Sequence, residues 1–480
     1  MSGVWRAGLA LAGAGLLWAS FFPGLGFLIW VALVPFFFAL DGAGAKRGAL
    51  LGFIFGLAFF SLEFSCLASL RPFIGPMAYG VIFLLALYGG IFLAVFGALA
   101  GWRNSPLFWA GLWALLEAAR GAGPLGFTFG SVPAALAGSP FVAAAGLAGP
   151  WFLSLVVALT AAFLAKSLRR PKFLPLALLG PLFLWGIGQI LPEHQPLGTV
   201  RLALVQADIS QADRLDRGKL PEILARYERL LAQVPSDVDL IVIPENATPA
   251  FLRIEREYLQ PFARAAREKG VPLMVGTADV EEGEIRNTMV LLTPDGRESV
   301  VYAKMHLVPF GEYVPGRKLW ERLGLATVID QFLPYDQSPG ERLEPVGIYG
   351  VVICFESSFS GPTRVLTKKG AEVLIVSTND AWFGRTRILW EHYAMCSLRA
   401  AETGRAVVQV GQTGITGGWG PKGRELARFP LGEDVFVLEV PRFSGRTPYV
   451  LLGNFPALIL AGGLALLWRM GKRGPRLRAP

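Results

Sequence analysis

Residues 347–358 read Gly347-Ile348-Tyr349-Gly350-Val351-Val352-Ile353-Cys354-Phe355-Glu356-Ser357-Ser358. An uncharged β-branched run bounded by glycine and by a polar stretch is the pattern of a strand buried on both faces. Phe355 to Arg364 then opens a helix-like segment, which places the Cys354 thiol at a strand-to-helix corner. Backbone N–H groups and the positive end of a helix dipole favour a thiolate there. Cysteine is also a common core residue, so the stretch becomes chemistry only if other groups join it.

Two other runs end in the same way. Leu240 to Ile243 leads into Pro244-Glu245-Asn246, and Val300 to Ala303 leads into Lys304, followed by Pro309-Phe310-Gly311-Glu312. A carboxylate leaving a β-run suits a general base that takes a thiol proton and returns it to a leaving group. An ammonium among Met305, Leu307, Val308 and Phe310 suits stabilisation of an oxyanion. Further strand-like runs lie at Val200–Gln206, Val271–Gly276, Thr288–Leu292, Ser299–Tyr302, Val346–Ile353, Val373–Ser377, Ala406–Val410 and Val435–Val440. Amphipathic helical patterns interrupt them at Leu220–Ala232 and Tyr258–Lys269. Alternating strands and helices predict an α/β block, and this many strands predicts two sheets packed face to face with helices outside.

This block is enclosed by sequence of another kind. The chain is 53% hydrophobic and only 17% charged, against roughly a quarter charged in soluble proteins. Outside residues 192–450 there are 15 Lys and Arg against three acids, Asp41, Glu63 and Glu117, leaving the centre 30 of the 45 basic and 33 of the 36 acidic residues. The net +9 therefore resides in the apolar flanks, which excludes the basic soluble surface of a nucleic-acid binder. Cys66, Cys354 and Cys396 show neither zinc nor disulfide spacing, and His194, His306 and His392 are dispersed. Neither a metal nor an organic cofactor is expected.

A membrane span takes about 20 apolar residues. Candidates are Trp5–Phe22, Gly26–Leu40, Gly48–Leu67, Met77–Gly101, Pro106–Ala119, Pro140–Ala165 and Phe173–Leu191 before the block, and Tyr449–Trp468 after it. With a cytoplasmic N-terminus, one side collects Arg6, Lys46, Arg47, Arg103, Lys166, Arg169, Arg170, Lys172 and the tail from Arg469 to Arg478; the other collects only Arg71 and Arg120. The positive-inside rule then puts the α/β block on the outer face. Leu17 to Pro23 lacks a small-residue cleavage site, so the first span reads as retained. Glu63 and Glu117, inside predicted spans, admit two readings: function, or a hydrogen-bonded carboxyl between helices. The apolar segment Gly121–Ser139 reads as a headgroup-level loop or as a span end.

Taken together, Glu245, Lys304, Pro309-Phe310-Gly311-Glu312 and Cys354-Phe355-Glu356, in that order, resemble the nitrilase superfamily across roughly residues 198–445. Thr378-Asn379-Asp380-Ala381-Trp382-Phe383-Gly384, the helix-like run from Glu391 to Arg405 and Thr413-Gly414-Ile415-Thr416 add to the likeness. With the membrane flanks, the whole chain resembles the apolipoprotein N-acyltransferase family. The resemblance implies an eight-span helical membrane protein carrying an α-β-β-α sandwich: a membrane domain at 1–192, a catalytic domain at 198–445 on the periplasmic face, a closing helix at 449–468 and a basic cytoplasmic tail at 469–480. It implies Glu245 as base, Lys304 as the intermediate-stabilising group and Cys354 as nucleophile, with Glu312, Glu356 and Phe355 supporting and Trp382, Phe383 and Phe310 as candidate lipid-facing residues. The implied partners are a phospholipid acyl donor, a diacylglyceryl-cysteine lipoprotein acceptor and the bacterial inner membrane. Two departures stand out: Phe355 where members often have Tyr, and Gln412 where Asn is common. A membrane-anchored amidase using the same triad is the alternative; a transporter or receptor with a binding module is the second.

Overall fold

The computed structural model describes residues 2–192, 194–324, 327, 329–330 and 333–467. The chain divides into two compact units, residues 193–450 and residues 1–192 with 451–480.

Among its described residues the central unit holds eleven strands: β1 Pro196–Gln206, β2 Leu240–Ile243, β3 Leu273–Glu281, β4 Glu284–Leu292, β5 Glu298–Ala303, β6 Tyr349–Ile353, β7 Val373–Thr378, β8 Ala406–Gly411, β9 Gly417–Trp419, β10 Glu425–Arg428 and β11 Asp434–Phe443. They form a six-stranded sheet ordered β11-β1-β2-β3-β4-β5 and a five-stranded sheet ordered β10-β9-β8-β7-β6. The two-residue period of a strand builds the layers. Leu202, Leu204, Leu240 and Val242 of one sheet pack against Val351, Ile353, Val373, Ile375 and Val408 of the other. Their neighbours Ala203, Val205, Ile241 and Ile243 face the helices Leu220–Gln233 and Arg256–Lys269. Behind the second sheet, Val352, Leu374, Val376 and Val407 pack with Cys396 and Ala400 of helix Ile388–Thr403. The result is four layers, helix-sheet-sheet-helix.

The register fixes where the chemistry falls. Ile353 ends β6 pointing into the sandwich, so Cys354 is the first residue past the sheet edge; Glu245 stands two residues beyond β2, and Lys304 one beyond β5. Strands β9 and β10 escape the sequence reading. Gly417-Gly418-Trp419 has one side chain of any size, and Glu425–Arg428 is a polar edge strand, so neither carries the apolar run that marked the others.

The other unit is helical. Among the described residues, four helical stretches are long and apolar enough to cross a membrane, Ala45–Ile74, Met77–Trp102, Pro150–Ser167 and Pro171–Ile190. Several expected spans are interrupted: Gly26–Leu40 falls into a 3-10 turn and two short helices, and the span expected at Pro140–Ala165 opens with a 3-10 turn and the short helix Ala145–Ala148 and becomes a long helix only from Pro150, after Gly149 at φ 82°. Tyr449–Trp468 breaks at Gly453, φ 65°, into Pro448–Leu452 and Phe455–Leu467; Trp468 and the tail 469–480 lie outside the described residues. Glycine sets the closest helix contact. A Cβ at Gly48 would lie 2.1 Å from the Gly97 carbonyl oxygen, and one at Gly52 1.9 Å from that of Leu93; backbones meet this closely only where side chains are absent.

Polar residues fasten both ends of this bundle. At one end Asp41 accepts from Lys166 Nζ at 2.8 Å and from Asn104 Nδ2 at 2.7 Å, Arg169 lies 3.7 Å away, and Arg6 donates to the Asp41 carbonyl at 3.1 Å. Elsewhere, Glu117 accepts from Val132 N at 2.9 Å and from the Ser154 hydroxyl at 2.5 Å, while Arg120 donates to the Phe129 carbonyl at 2.7 Å. Glu117 is thus a hydrogen-bonded carboxyl between packed helices. The 121–139 segment folds back into the bundle, with Val132 to Leu136 buried.

Candidate active site

The carboxylate, ammonium and thiol that follow β2, β5 and β6 come close enough to act on one another's charge. Lys304 is 1% exposed, with Nζ 2.8 Å from Glu312 Oε1 and 3.5 Å from Glu245 Oε1. Asn287, on the adjacent β4, places its amide between the two carboxylates, 2.6 Å from Glu245 Oε1 and 3.4 Å from Glu312 Oε1. The second Glu245 oxygen accepts from Asn379 N at 2.8 Å, and the second Glu312 oxygen from Val308 N at 2.8 Å. Both acids are therefore held by fixed donors while still facing one ammonium. Burial alone would lower the Lys304 pKa, but Glu312, Glu245 and the Cys354 sulfur outweigh it and keep the amine charged.

Cys354 opens a 3-10 turn, Cys354–Ser358, with φ 51°. A left-handed non-glycine residue costs about 1–3 kcal/mol and persists only where its surroundings impose it. Those surroundings are visible. Glu356, fully buried, accepts from Ile353 N at 2.8 Å on its own turn and from Met305 N and His306 N at 2.8 and 2.9 Å, with the Tyr302 hydroxyl 2.8 Å away. One carboxylate thereby ties the Cys354 turn to the backbone directly after Lys304. Behind the turn, His392 Nε2 lies 3.0 Å from the Cys354 carbonyl and 2.8 Å from Ser357 Oγ, and its Nδ1 lies 2.9 Å from Asp380. Burial pulls the His392 pKa down, but Asp380 outweighs it and the net shift is upward.

The thiol itself departs from the sequence expectation. Burial is the largest influence and pushes the Cys354 pKa well up, Glu245 adds to the rise, and Lys304 opposes it. Cys354 is therefore held toward its neutral thiol form, not the thiolate expected at a strand-to-helix corner. Cys354, Asp380 and His392 bring ligand-type atoms within 4.8 Å of one another. With both ring nitrogens of His392 already bonded, the cluster reads as a hydrogen-bond relay.

The remaining residues fall as follows. Phe355 packs with Phe359 and His306, ring centroids 5.0 and 5.6 Å away. Phe310 is 47% exposed at φ 60°, and Trp382 and Phe383 are half-buried in the turn Asp380–Phe383. Gln412 accepts from the Tyr227 hydroxyl at 2.8 Å. Sequence reading missed Asn287 and the His392–Asp380 pair: an amide inside a strand and a histidine on a buried helix have no spacing signature.

Comparison with known proteins agrees with this layout. The carbon-nitrogen hydrolase family matches residues 201–444, and the apolipoprotein N-acyltransferase N-terminal domain matches residues 13–163. The apolipoprotein N-acyltransferase of Gloeobacter violaceus is 30% identical over 486 residues, covering 94% of this chain and 91% of that protein. That of Nitrosomonas europaea is 32% identical over 448 residues, 87% of this chain and 88% of that one. Among solved structures, the carbon-nitrogen hydrolase from Helicobacter pylori G27 is 17% identical with a TM-score of 0.37, over 57% of this chain and 95% of that one. With a hydrolase-type sandwich and an N-terminal helical domain both matched, and relatives at 30% identity running nearly end to end, the chain belongs to the apolipoprotein N-acyltransferase family of acyltransferases.

Proposed function

We propose that this protein moves a fatty acyl chain from a membrane phospholipid, through a thioester on Cys354, to the α-amine of an N-terminal diacylglyceryl-cysteine. The observation that carries the reading is a charged, buried Lys304 shared by two oriented carboxylates beside a neutral thiol. In the first half-reaction the sulfur attacks the ester carbonyl as its proton passes to Glu245, and the Lys304 ammonium stabilises the oxyanion. The carbon–oxygen bond breaks, the departing lysophospholipid oxygen takes the proton from Glu245, and the acyl chain stays on sulfur. In the second the amine attacks the thioester and gives a proton to Glu245; the carbon–sulfur bond breaks and the thiolate regains that proton. Glu312 and Glu356 position Lys304 and the nucleophile turn, and Trp382, Phe383 and Phe310 face the lipid.

The membrane placement belongs to the same proposal: eight spans, both termini cytoplasmic, the catalytic unit periplasmic at the bacterial inner membrane. Keeping both lipid substrates at a bilayer spares about 0.8 kcal/mol for each CH₂ that would otherwise meet water. Incubation of the purified protein with phospholipid and a lipopeptide amine tests the reading. Mass spectrometry finds an acyl adduct on Cys354 and then an N-acyl peptide; free fatty acid or ammonia without N-acyl peptide selects the amidase alternative, and an unmodified thiol in active protein rejects the scheme.

A further inference from the structure

Beside the triad lies a pair of donors that the acyl-transfer scheme leaves idle. Gln211, 3% exposed, sits on the short helix Gln211–Leu215, and its Oε1 accepts from Asn379 Nδ2 at 3.1 Å and from Arg214 Nε at 3.2 Å. Asn379 in turn gives its backbone N–H to Glu245, so this helix is two hydrogen bonds from the base. The Gln211 Nε2 group is buried and has no partner among the described residues. Arg214 is half-buried, and among the described residues no carboxylate pairs with it and no acceptor takes its terminal nitrogens. The carboxylate whose charge acts on it is Glu245, which is already engaged by Lys304, Asn287 and Asn379.

A guanidinium taken largely out of water without a counter-charge, next to an amide N–H₂ without an acceptor, is complementary to one chemistry: an oxyanion with several acceptor oxygens. The planar fork of arginine suits two oxygens of a phosphate in a way that a single carbonyl does not. We infer that Arg214 and Gln211 bind the phosphodiester of the acyl donor and so hold its ester within reach of Cys354. This inference rests on the proposed function, where the donor lipid carries a phosphate and the diacylglyceryl-cysteine of the acceptor carries none.

The test follows the first half-reaction alone, on the full-length protein in detergent, as the rate at which acyl-Cys354 appears by mass spectrometry. Two donors with the same acyl chain are compared: a phosphatidylethanolamine, and a p-nitrophenyl ester, which is neutral and has no phosphate. Arg214→Gln lowers the ratio of phospholipid to p-nitrophenyl rates by roughly 10–100-fold, the worth of a charge-assisted hydrogen-bond pair. Arg214→Lys lowers it less, because the charge remains without the fork. Equal loss with both donors, or no loss with either, overturns the inference. If the unaltered protein forms no acyl-Cys354 with either donor, the proposed function fails first.

Discussion

Cys354 combines a left-handed backbone with a thiol whose pKa burial pushes upward, so its reactivity depends on the two charges beside it. Their effects have opposite signs. Glu245 disfavours the thiolate and Lys304 favours it, while the proposed reaction needs both. Glu245→Gln removes the carboxylate that raises the thiol pKa, so iodoacetamide labelling of Cys354 at pH 8 becomes faster even as acyl transfer falls about 10²–10⁴-fold with the loss of the base. Lys304→Met removes the opposing cation, so labelling at the same pH slows and its onset moves to higher pH. Site-resolved mass spectrometry separates Cys354 from the buried Cys66 and Cys396. Labelling that drops in parallel with transfer in Glu245→Gln rejects Glu245 as a charge acting on the thiol. Glu245, Lys304 and Cys354 were legible in sequence as candidates because each follows closely on the end of an aliphatic run. The sign of the thiol shift was not: it depends on desolvation, a property of the assembled pocket.

At the scale of elements, the site is only as precise as the strand ends that carry it. β2 and β3 run parallel, and where β2 ends, Gly276 of β3 passes close behind the base. A Cβ there would lie 2.5 Å from the Pro244 carbonyl oxygen and 2.6 Å from Glu245 Cα. These are backbone atoms with no rotamer to yield, so Gly276→Ala must displace the segment bearing the base. Overpacking of this kind costs about 1–3 kcal/mol, and a displacement near 1 Å from productive geometry costs on the order of 10²-fold in rate. Gly276→Ala is therefore expected to stay folded in thermal unfolding yet lose about 10²-fold in acyl transfer; full activity shows that the β2 end tolerates the shift. The strands β1 to β8 and β11 were readable from their apolar runs, and the helices Leu220–Gln233 and Arg256–Lys269 from their one-sided burial. Helix Ile388–Thr403 is buried nearly all round and so shows no amphipathic stripe; its run from Glu391 to Arg405 read as helix-like, but nothing in it marked His392 as the partner of Asp380.

At the scale of the whole molecule, the bundle's own contacts bear on membrane orientation. Arg6, Asn104, Lys166 and Arg169 come from three separate helix ends yet converge on Asp41, at the end of a fourth, Arg6 on its backbone carbonyl and the others on its carboxylate. The chain therefore returns to the same end of the bundle near residues 6, 41, 104 and 166, and the helices between these points traverse it in pairs even where breaks leave them short of a full span. Such an alternation is what the proposed topology requires, with its count of seven crossings before residue 192. It also removes Arg120 from the outside count, because its guanidinium is 4% exposed and bonded within the bundle. What remains is a set of basic residues almost wholly at one end; the proposed topology makes that end cytoplasmic and takes the chain to the opposite face at the end of helix Leu174–Ile190. Single cysteines placed at the exposed positions Lys46 or Lys172 should resist a membrane-impermeant maleimide in cells with a permeabilised outer envelope and react only after the inner membrane is broken. A cysteine at Glu268, exposed on the central unit, should react before that. The reverse pattern inverts the topology, and it would place the Cys354 chemistry on the side of the bilayer opposite to the one this proposal requires.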